Sequence, residues 1–283
     1  MKVLVLGKNS QVGKSFLTKK NFIFLSRKQA DITNFLNLKK IIKTISPDII
    51  INLTAYNNVP KSETKYKDAF KINCGGVSNL LKIKKNSQFF LIHVSTDYVF
   101  SGKKSLKKTW KINSKRSPLN KYGLSKKLGE DEIFKSKDPN CLIIRTSWVF
   151  SKYGDNFVKK ILKLSKVHSK INVVSDQFGA PTSALSLAKF LVYIVYNLSK
   201  LKNVKIIHFC NKPYCNWFDF AKKIIKIKRL KVNIEPSFTN KNDTKLSRPK
   251  NSKLDYIYTN TKLSYNQERW EEYLKNDLQK INV

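Results

Sequence analysis

The sequence predicts an α/β protein, a doubly wound parallel sheet followed by a smaller C-terminal lobe. Three observations carry this. Short, continuously apolar runs alternate with amphipathic stretches through the first 150 residues, a glycine loop follows the first of these runs, and the rhythm loosens after residue 150. Continuous rather than alternating apolar runs belong to strands buried on both faces, which is the condition of a parallel sheet covered by helices.

Taken in order, Lys2–Leu6 is a strand run, Val12–Lys19 a helix, and Phe22–Leu25 a second strand. Asn34–Ile45 places Phe35, Leu38, Ile41, Ile42 and Ile45 at helical spacing. Ile49–Ile51 is the third strand, Asp68–Lys84 a helix, and Phe89–Val94 the fourth strand. Pro118–Phe134 reads as a helix entered at Ser117-Pro118, and Cys141–Arg145 as the fifth strand. Beyond it, Phe157–Leu164, Leu185–Leu198 and Trp217–Ile227 look helical, Lys205–Phe209 looks like one more strand, and a last helix lies near Glu268–Leu278. Residues 1–150 are therefore expected to form the nucleotide-binding half, with segments near 183–210 returning to it, and residues 151–283 mainly the substrate lobe. The cleft between them should open at the C-terminal ends of the strands.

Composition bounds the function. The chain has 283 residues, with 56 Lys+Arg against 19 Asp+Glu, a net charge of +37. At 41% hydrophobic, it has ample material for a core, which excludes wholesale disorder. The charge by itself suggests a nucleic-acid or anionic-membrane binder. Its placement argues otherwise: lysines occur in nearly every block of ten, with no basic tail, and the densest run, Lys103–Lys108, is loop-like. No specific nucleic-acid partner is expected. No apolar run reaches the roughly 18–20 residues of a membrane span, and the N-terminal apolar run stops at Gly7 without the features of a signal peptide. Four cysteines without a C-x-x-C pair suit a reduced, cytoplasmic protein.

Gly7-Lys8-Asn9-Ser10-Gln11-Val12-Gly13 closes the first strand and opens the first helix. Gly7 permits the tight turn, Gly13 close helix–sheet packing, and the loop with Ser10, Gln11 and Val12 turns free N–H groups toward a pyrophosphate. This makes the sheet Rossmann-type. Where a middle glycine would let the backbone approach phosphate, Ser10 stands. The second strand ends in Ser26-Arg27-Lys28 with no acid to accept bonds from ribose hydroxyls. Arg27 and Lys28 are placed to neutralise a 2′-phosphate and Ser26 to donate to it, so NADPH is favoured, with NADH the alternative cofactor. Asp31 and Ile32 come next and would flank the adenine.

Tyr122 and Lys126 sit four residues apart, on one face of a helix. A neighbouring ammonium favours the tyrosinate and lowers the phenol's pKa, which suits proton transfer in carbonyl reduction. The same spacing recurs at Tyr196/Lys200 and Tyr258/Lys262. Only Tyr122 lies between the fourth and fifth strands, within reach of a nicotinamide. Thr96, at the end of the fourth strand in Ser95-Thr96-Asp97-Tyr98-Val99-Phe100, offers a hydroxyl to a substrate carbonyl oxygen. His93, within an apolar run, reads as a core histidine; Trp110, Trp217 and Trp270 read as packing residues; Cys210 and Cys215 have the wrong spacing for a metal pair.

Together these motifs resemble the extended short-chain dehydrogenase/reductases, and within them the branch that reduces dTDP-linked 4-keto-6-deoxy sugars. The resemblance runs over nearly the whole chain: Gly7–Gly13, Ser95–Phe100, Ser117-Pro118-Leu119-Asn120-Lys121-Tyr122-Gly123 with Lys126, Arg145–Phe150, Gly154–Phe157, Asp176–Thr182 and Arg248–Leu254. It implies that Tyr122 is the general acid, that Lys126 positions the nicotinamide ribose and tunes Tyr122, and that Thr96 polarises the keto oxygen. It further implies that Asn52 lies along the cofactor, and that Asp97, Tyr98, Trp148, Asn156 and Arg248 contact the nucleotide-sugar substrate or shape its pocket. The implied reaction is hydride transfer from NADPH to C4 of dTDP-6-deoxy-L-lyxo-4-hexulose, giving dTDP-L-rhamnose. In related 4,6-dehydratases an Asp-Glu pair follows the Thr; here Asp97 is followed by Tyr98. Some members hold magnesium through acids at a dimer contact. Lys14–Lys20 carries no acid, so no metal is expected; a homodimer is compatible with the sequence but not specified by it. The rival readings are a reductase or epimerase of another sugar nucleotide and a silent NADP-binding regulatory subunit. Joint retention of Thr96, Tyr122 and Lys126 argues against silence.

Overall fold

The computed structural model describes residues 1–16, 20–240 and 246–281. Its elements, in chain order, are β1 (Val3–Leu6), α1 (Gln11–Ser15), β2 (Phe22–Leu25), α2 (Phe35–Ile45), β3 (Ile49–Asn52), α3 (Val59–Thr64), α4 (Tyr66–Phe70), α5 (Gly76–Lys84), β4 (Phe90–Thr96), α6 (Lys121–Ser136), β5 (Cys141–Thr146), β6 (Val149–Phe150) and α7 (Phe157–Leu164). There follow β7 (Lys170–Val174), β8 (Phe178–Gly179), β9 (Thr182–Ser183), α8 (Ala184–Tyr196), β10 (Ile206–His208), β11 (Cys215–Asn216), α9 (Trp217–Lys228), β12 (Asn233–Ser237), α10 (Ile257–Leu263) and α11 (Trp270–Gln279).

Six strands form one parallel sheet in the order β10-β5-β4-β3-β1-β2. Two-residue periodicity splits its core into two layers. Val3, Val5, Ile51, Ile92 and Ile144 pack with Leu187, Phe190, Leu191 and Ile194 of α8. Leu4, Leu6, Ile50, Leu91 and Ile143 pack on the other side with Leu38 and Ile42 of α2, Leu80 of α5 and Ile133 of α6. The central runs of these strands therefore face apolar layers on both sides, which is why they carry no alternation, and polar residues such as Asn52, Thr96 and Arg145 come at or near the strand C-termini. Strand order reverses between β1 and β3, and loops diverging there leave a crevice at the strand C-termini. A separate core, with Val158, Ile161, Phe220, Ile224, Trp270 and Leu274, unites α7, α9 and α11. It lies beside the pair β7–β12. β10 and α8 rejoin the main sheet from beyond residue 150.

Several boundaries differ from expectation. α1 ends at Ser15, and residues 17–19 of the expected Val12–Lys19 helix lie outside the described residues, as does part of the acid-free Lys14–Lys20 stretch. α6 begins at Lys121 rather than at Pro118, because Asn120 caps it by accepting from Gly123 N–H at 2.8 Å. The expected Asp68–Lys84 helix is interrupted by one wide π turn, Lys71–Gly75. There the Asn73 amide leaves the helix surface to bond Ser125 and both backbone groups of Tyr56. α3 lies between the third strand and the Asp68–Lys84 stretch, where no element is expected from the pattern, though Asn58-Val59-Pro60 carries a cap and an N-terminal proline. β12 contains Pro236 and a single large aliphatic residue, so no strand pattern shows. Among the described residues, no helix is long and apolar enough to cross a membrane.

Candidate active site

The crevice is a cleft of about 1680 Å³ that begins at the Gly7 loop, passes Thr96, Tyr122 and Lys126, and ends between Trp148, Trp217 and Arg248. Of the sequence-derived candidates it brings together Gly7, Ser10, Gln11, Val12, Arg27, Asp31, Ile32, Thr96, Asp97, Tyr98, Tyr122, Lys126, Trp148, Asn156 and Arg248. Gly13, Ser26 and Asn52 are not on its wall.

The phosphate loop fits a dinucleotide by its backbone. Gly7 has φ +99°, and a Cβ on Gly13 would stand 2.4 Å from the Gly7 carbonyl oxygen. The loop is thus folded so tightly onto α1 that no side chain fits behind it; the Gly7, Lys8 and Ser10 N–H groups are spent on the Leu25 and Gly7 carbonyls, and the start of α1 at Gln11 and Val12 is what the loop presents to the cleft. Ser10 does not obstruct this: its hydroxyl turns back to cap α1, accepting from Gly13 N–H at 3.0 Å. Gln11 ties the loop to the second lobe, its Oε1 accepting from Ser151 Oγ at 3.0 Å and Asn156 Nδ2 at 2.9 Å. Asn156 spends its remaining amide capacity on the Ser151 and Tyr153 carbonyls and on capping α7. It lines the cleft and acts there as a strut between loop and lobe, which shapes the pocket.

At the end of β2, Arg27 Nε pairs with Asp31 Oδ2 at 3.0 Å, leaving the terminal nitrogens of its fork free of that bond. Burial pushes the Asp31 carboxyl up, but bonds from Thr33 and Arg27 outweigh it and hold it below its ordinary range. Ser26 is turned to Gln29, donating to its Oε1 from both N–H and hydroxyl. Of the three side chains assigned to a 2′-phosphate, Ser26, Arg27 and Lys28, Arg27 is the one on the cleft wall. Arg27→Ala is expected to weaken NADPH on the order of tenfold, one charge-assisted contact, and to leave NADH nearly unchanged. Equal loss for both cofactors in a fluorescence titration would remove Arg27 from this role.

The reacting centre rests on β4 and α6. Thr96, the last residue of β4, donates to Asp97 Oδ1 at 3.0 Å and is hydrogen-bonded with Tyr122. One incoming oxygen can therefore meet both hydroxyls. Tyr98 packs edge-on against Tyr122, ring centroids 5.6 Å apart. Burial pushes the Asp97 carboxyl up to about 6, against hydrogen bonds from Ser252 and Thr96. It pushes Tyr98 up to about 12, with Arg248 opposing.

Tyr122 departs from the expectation of a lowered phenol pKa. Protein encloses it on all sides but the cleft, and this burial raises it above its ordinary value, the Thr96 bond offsetting only part. Lys126 Nζ instead donates to the Val94 carbonyl at 2.7 Å and lies 3.2 Å from His93 Nε2. Lys126 is itself nearly sealed, 1% exposed, and burial lowers it to about 8 against the opposing field of Glu130. The phenol is therefore a proton donor at neutral pH, which is the state needed to reduce a carbonyl.

At the far end Trp148, with φ +47°, stacks on Trp217 at 3.5 Å between centroids and 10° between planes. Trp217 was read as a packing residue, and it also lines the cleft. Its position at the start of α9, in a lobe with no repeating pattern, gave no sequence signal for this. Trp110 and Trp270 are packing residues, each 7% exposed or less. Asn52 is fully buried beneath the cleft, bonded to Thr54 and His93. It acts on the site from behind rather than along the cofactor.

A phosphate loop at the switch point of a parallel sheet, with a hydroxyl, a phenol and an amine meeting at the strand ends, defines a nicotinamide-dependent carbonyl reductase of the short-chain type. The chain belongs to the RmlD substrate binding domain family, whose model matches residues 1–283. It is 33% identical to a dTDP-4-dehydrorhamnose reductase of Aggregatibacter actinomycetemcomitans over 97% of both chains. Among solved structures, a dTDP-4-dehydrorhamnose reductase from Clostridium acetobutylicum superposes with a TM-score of 0.91 at 32% identity, over 99% of each chain. One from Bacillus anthracis, in complex with NADP, gives 0.89 at 31% identity, over 99% of this chain and 100% of that one.

Proposed function

We propose that this protein reduces the C4 keto group of dTDP-6-deoxy-L-lyxo-4-hexulose with NADPH to give dTDP-L-rhamnose. The observation that carries the reading is the convergence of Thr96, Tyr122 and Lys126 in one cleft that starts at the Gly7 loop and ends at Trp148 and Arg248. The names of its relatives and the NADP in one of them support it.

NADPH, when bound, supplies the hydride. The chain's own residues do the rest. Gly7 and Ser10 shape the phosphate loop, Gln11 and Val12 offer the N–H groups of the α1 N-terminus to the pyrophosphate, Arg27 meets the 2′-phosphate, and Asp31 and Ile32 wall the adenine. Thr96 and Tyr122 hold the keto oxygen between their hydroxyls, and Tyr122 gives it a proton as negative charge develops there. Lys126 holds the nicotinamide ribose. Asp97, Tyr98 and Trp148 enclose the sugar, and Arg248, exposed at the rim beside Tyr98, meets the anionic nucleotide. Residues 1–150 with α8 and β10 act as the cofactor half, and the remainder as the substrate half. The protein works in a reducing cytoplasm, in keeping with its four free cysteines.

The test follows NADPH absorbance with purified protein and ketosugar generated by the 4,6-dehydratase and 3,5-epimerase, with each omitted in turn. Oxidation that requires both enzymes is expected. Oxidation without the epimerase would replace this substrate with the unepimerised ketosugar, and NADPH binding without oxidation would favour another sugar nucleotide or the regulatory reading.

A further inference from the structure

His93 is completely buried in the middle of the sheet and does not line the cleft. Its two ring nitrogens nonetheless connect β3 to the reacting centre: Nδ1 lies 3.1 Å from Asn52 Nδ2, and Nε2 lies 3.2 Å from Lys126 Nζ. The protons on this chain can be placed. Thr54 donates to Asn52 Oδ1 from its backbone N–H at 3.0 Å and its hydroxyl at 2.6 Å. A backbone N–H cannot be anything but a donor, so the Asn52 amide is fixed with its NH₂ toward His93. Nδ1 must then accept, and a neutral imidazole carries its proton on Nε2, pointing at Lys126. An ammonium at that position would set donor against donor. An uncharged amine resolves the conflict, its lone pair accepting from Nε2–H while one N–H goes to the Val94 carbonyl at 2.7 Å.

We propose that His93, locked by Asn52 with its ring proton on Nε2, is a positioning residue that biases Lys126 toward its uncharged form and so sets the alkaline limit of the reaction. The inference rests on the reading of Lys126 as part of the catalytic group. Burial acts in the same direction on both partners, lowering Lys126 to about 8 and His93 well below its ordinary value, the latter further lowered by Lys126. Other charged or titratable groups face this pair from the surrounding elements. Glu130, one turn on along α6, favours the ammonium, but its carboxylate is shared with Arg145 of β5 and with Arg116. Tyr122 and Asp97 stand on the cleft side, where Asp97 acts on Tyr122. Asn52 from β3 is uncharged. The ammonium is thus poised to lose its proton just above neutrality, one hydrogen bond from a histidine that never needs to be charged.

The chain has 3 histidines, so ¹⁵N-histidine labelling resolves His93 directly, with His93→Gln giving the assignment. In the wild-type protein without substrate, His93 is expected to remain neutral with its proton on Nε2 from pH 6 to 9. Its nitrogen shifts should move once, near pH 8, as Lys126 titrates. A proton on Nδ1, an imidazolium near pH 7, or shifts that ignore that titration would overturn the proposal. None of these readouts uses turnover, so they stand or fall apart from the substrate assignment. As the second measurement, His93→Gln frees an amide carbonyl to face the ammonium. The alkaline limb of kcat for NADPH oxidation should move up by about one pH unit, the equivalent of one hydrogen bond. A limb that stays in place while kcat falls uniformly would reduce His93 to a packing residue.

Discussion

Tyr122→Phe is expected to leave NADPH binding within about twofold of wild type and to lower kcat by about 10²–10⁴-fold, the range over which a positioned general acid contributes. The substitution keeps the ring and its edge-on contact with Tyr98 and removes one hydroxyl. What it takes from the ground state is small: a single bond with Thr96, on the order of 1 kcal/mol. What it takes from the transition state is larger, because the alkoxide forming at C4 would then meet only the Thr96 hydroxyl, inside a cleft where burial makes every missing donor count. The loss should therefore appear in kcat with KM little changed, and single-turnover rates should fall with kcat. Turnover near wild type would remove Tyr122 from the role of acid. The phenol's raised pKa adds a sign to the pH dependence: Tyr122 remains protonated throughout the physiological range. The alkaline fall in activity belongs to Lys126, near 8, rather than to the tyrosine.

The sheet and the reacting trio were legible in the sequence because each leaves a local mark. A strand buried on both faces must be apolar at every position, as in Val3–Leu6 and Ile49–Ile51, and a glycine loop must follow the first strand if phosphate is to meet a helix end. Thr96, Tyr122 and Lys126 are recognisable through their neighbours, strand end and capped helix. What was not legible lies in pairings between distant segments. That Asn156 reaches back to Gln11, 145 residues earlier, follows from how the second lobe docks on the loop. That Trp217 underlies Trp148 follows from where α9 begins. The lowering expected for the Tyr122 phenol failed for a related reason. Spacing on a helix places Lys126 on the same face, but the Val94 carbonyl and His93, on β4, decide where its charge points. His93 read as a core histidine, which it is, and no periodicity records that one ring nitrogen touches the amine.

The largest expected effect on stability lies one turn further along α6. Glu130 is fully buried and accepts from Arg145 Nε at 2.9 Å and Nη2 at 2.7 Å, from Arg116 Nη1 at 3.1 Å and from Ser95 Oγ at 2.7 Å. Arg145, on β5, is 1% exposed and has no water to turn to. Glu130→Ala would leave its guanidinium uncompensated between β5 and the ring of Phe100. Breaking a buried pair from one side costs about 3–5 kcal/mol. Set against a total of about 5–15 kcal/mol for folded domains, that should lower the urea midpoint by a large fraction of its value. Removing both charges with Glu130→Leu and Arg145→Met should recover much of the loss, because the penalty is the orphaned charge rather than the missing attraction. Equal destabilisation in the single and double variants would show that packing, not charge, is what the pair contributes. Glu130→Gln also removes the countercharge of Arg145 and should lose stability, so its catalytic effect is read from the position of the pH limb rather than from the size of kcat. It keeps an acceptor for Ser95 and Arg145 while withdrawing the field that supports the Lys126 ammonium, so the alkaline limb of kcat should move down in pH. His93→Gln is expected to move the same limb up. Opposite displacements from two buried residues, neither of which lines the cleft, would locate the titrating group at Lys126; displacements of the same sign would mean that the limb belongs to another residue.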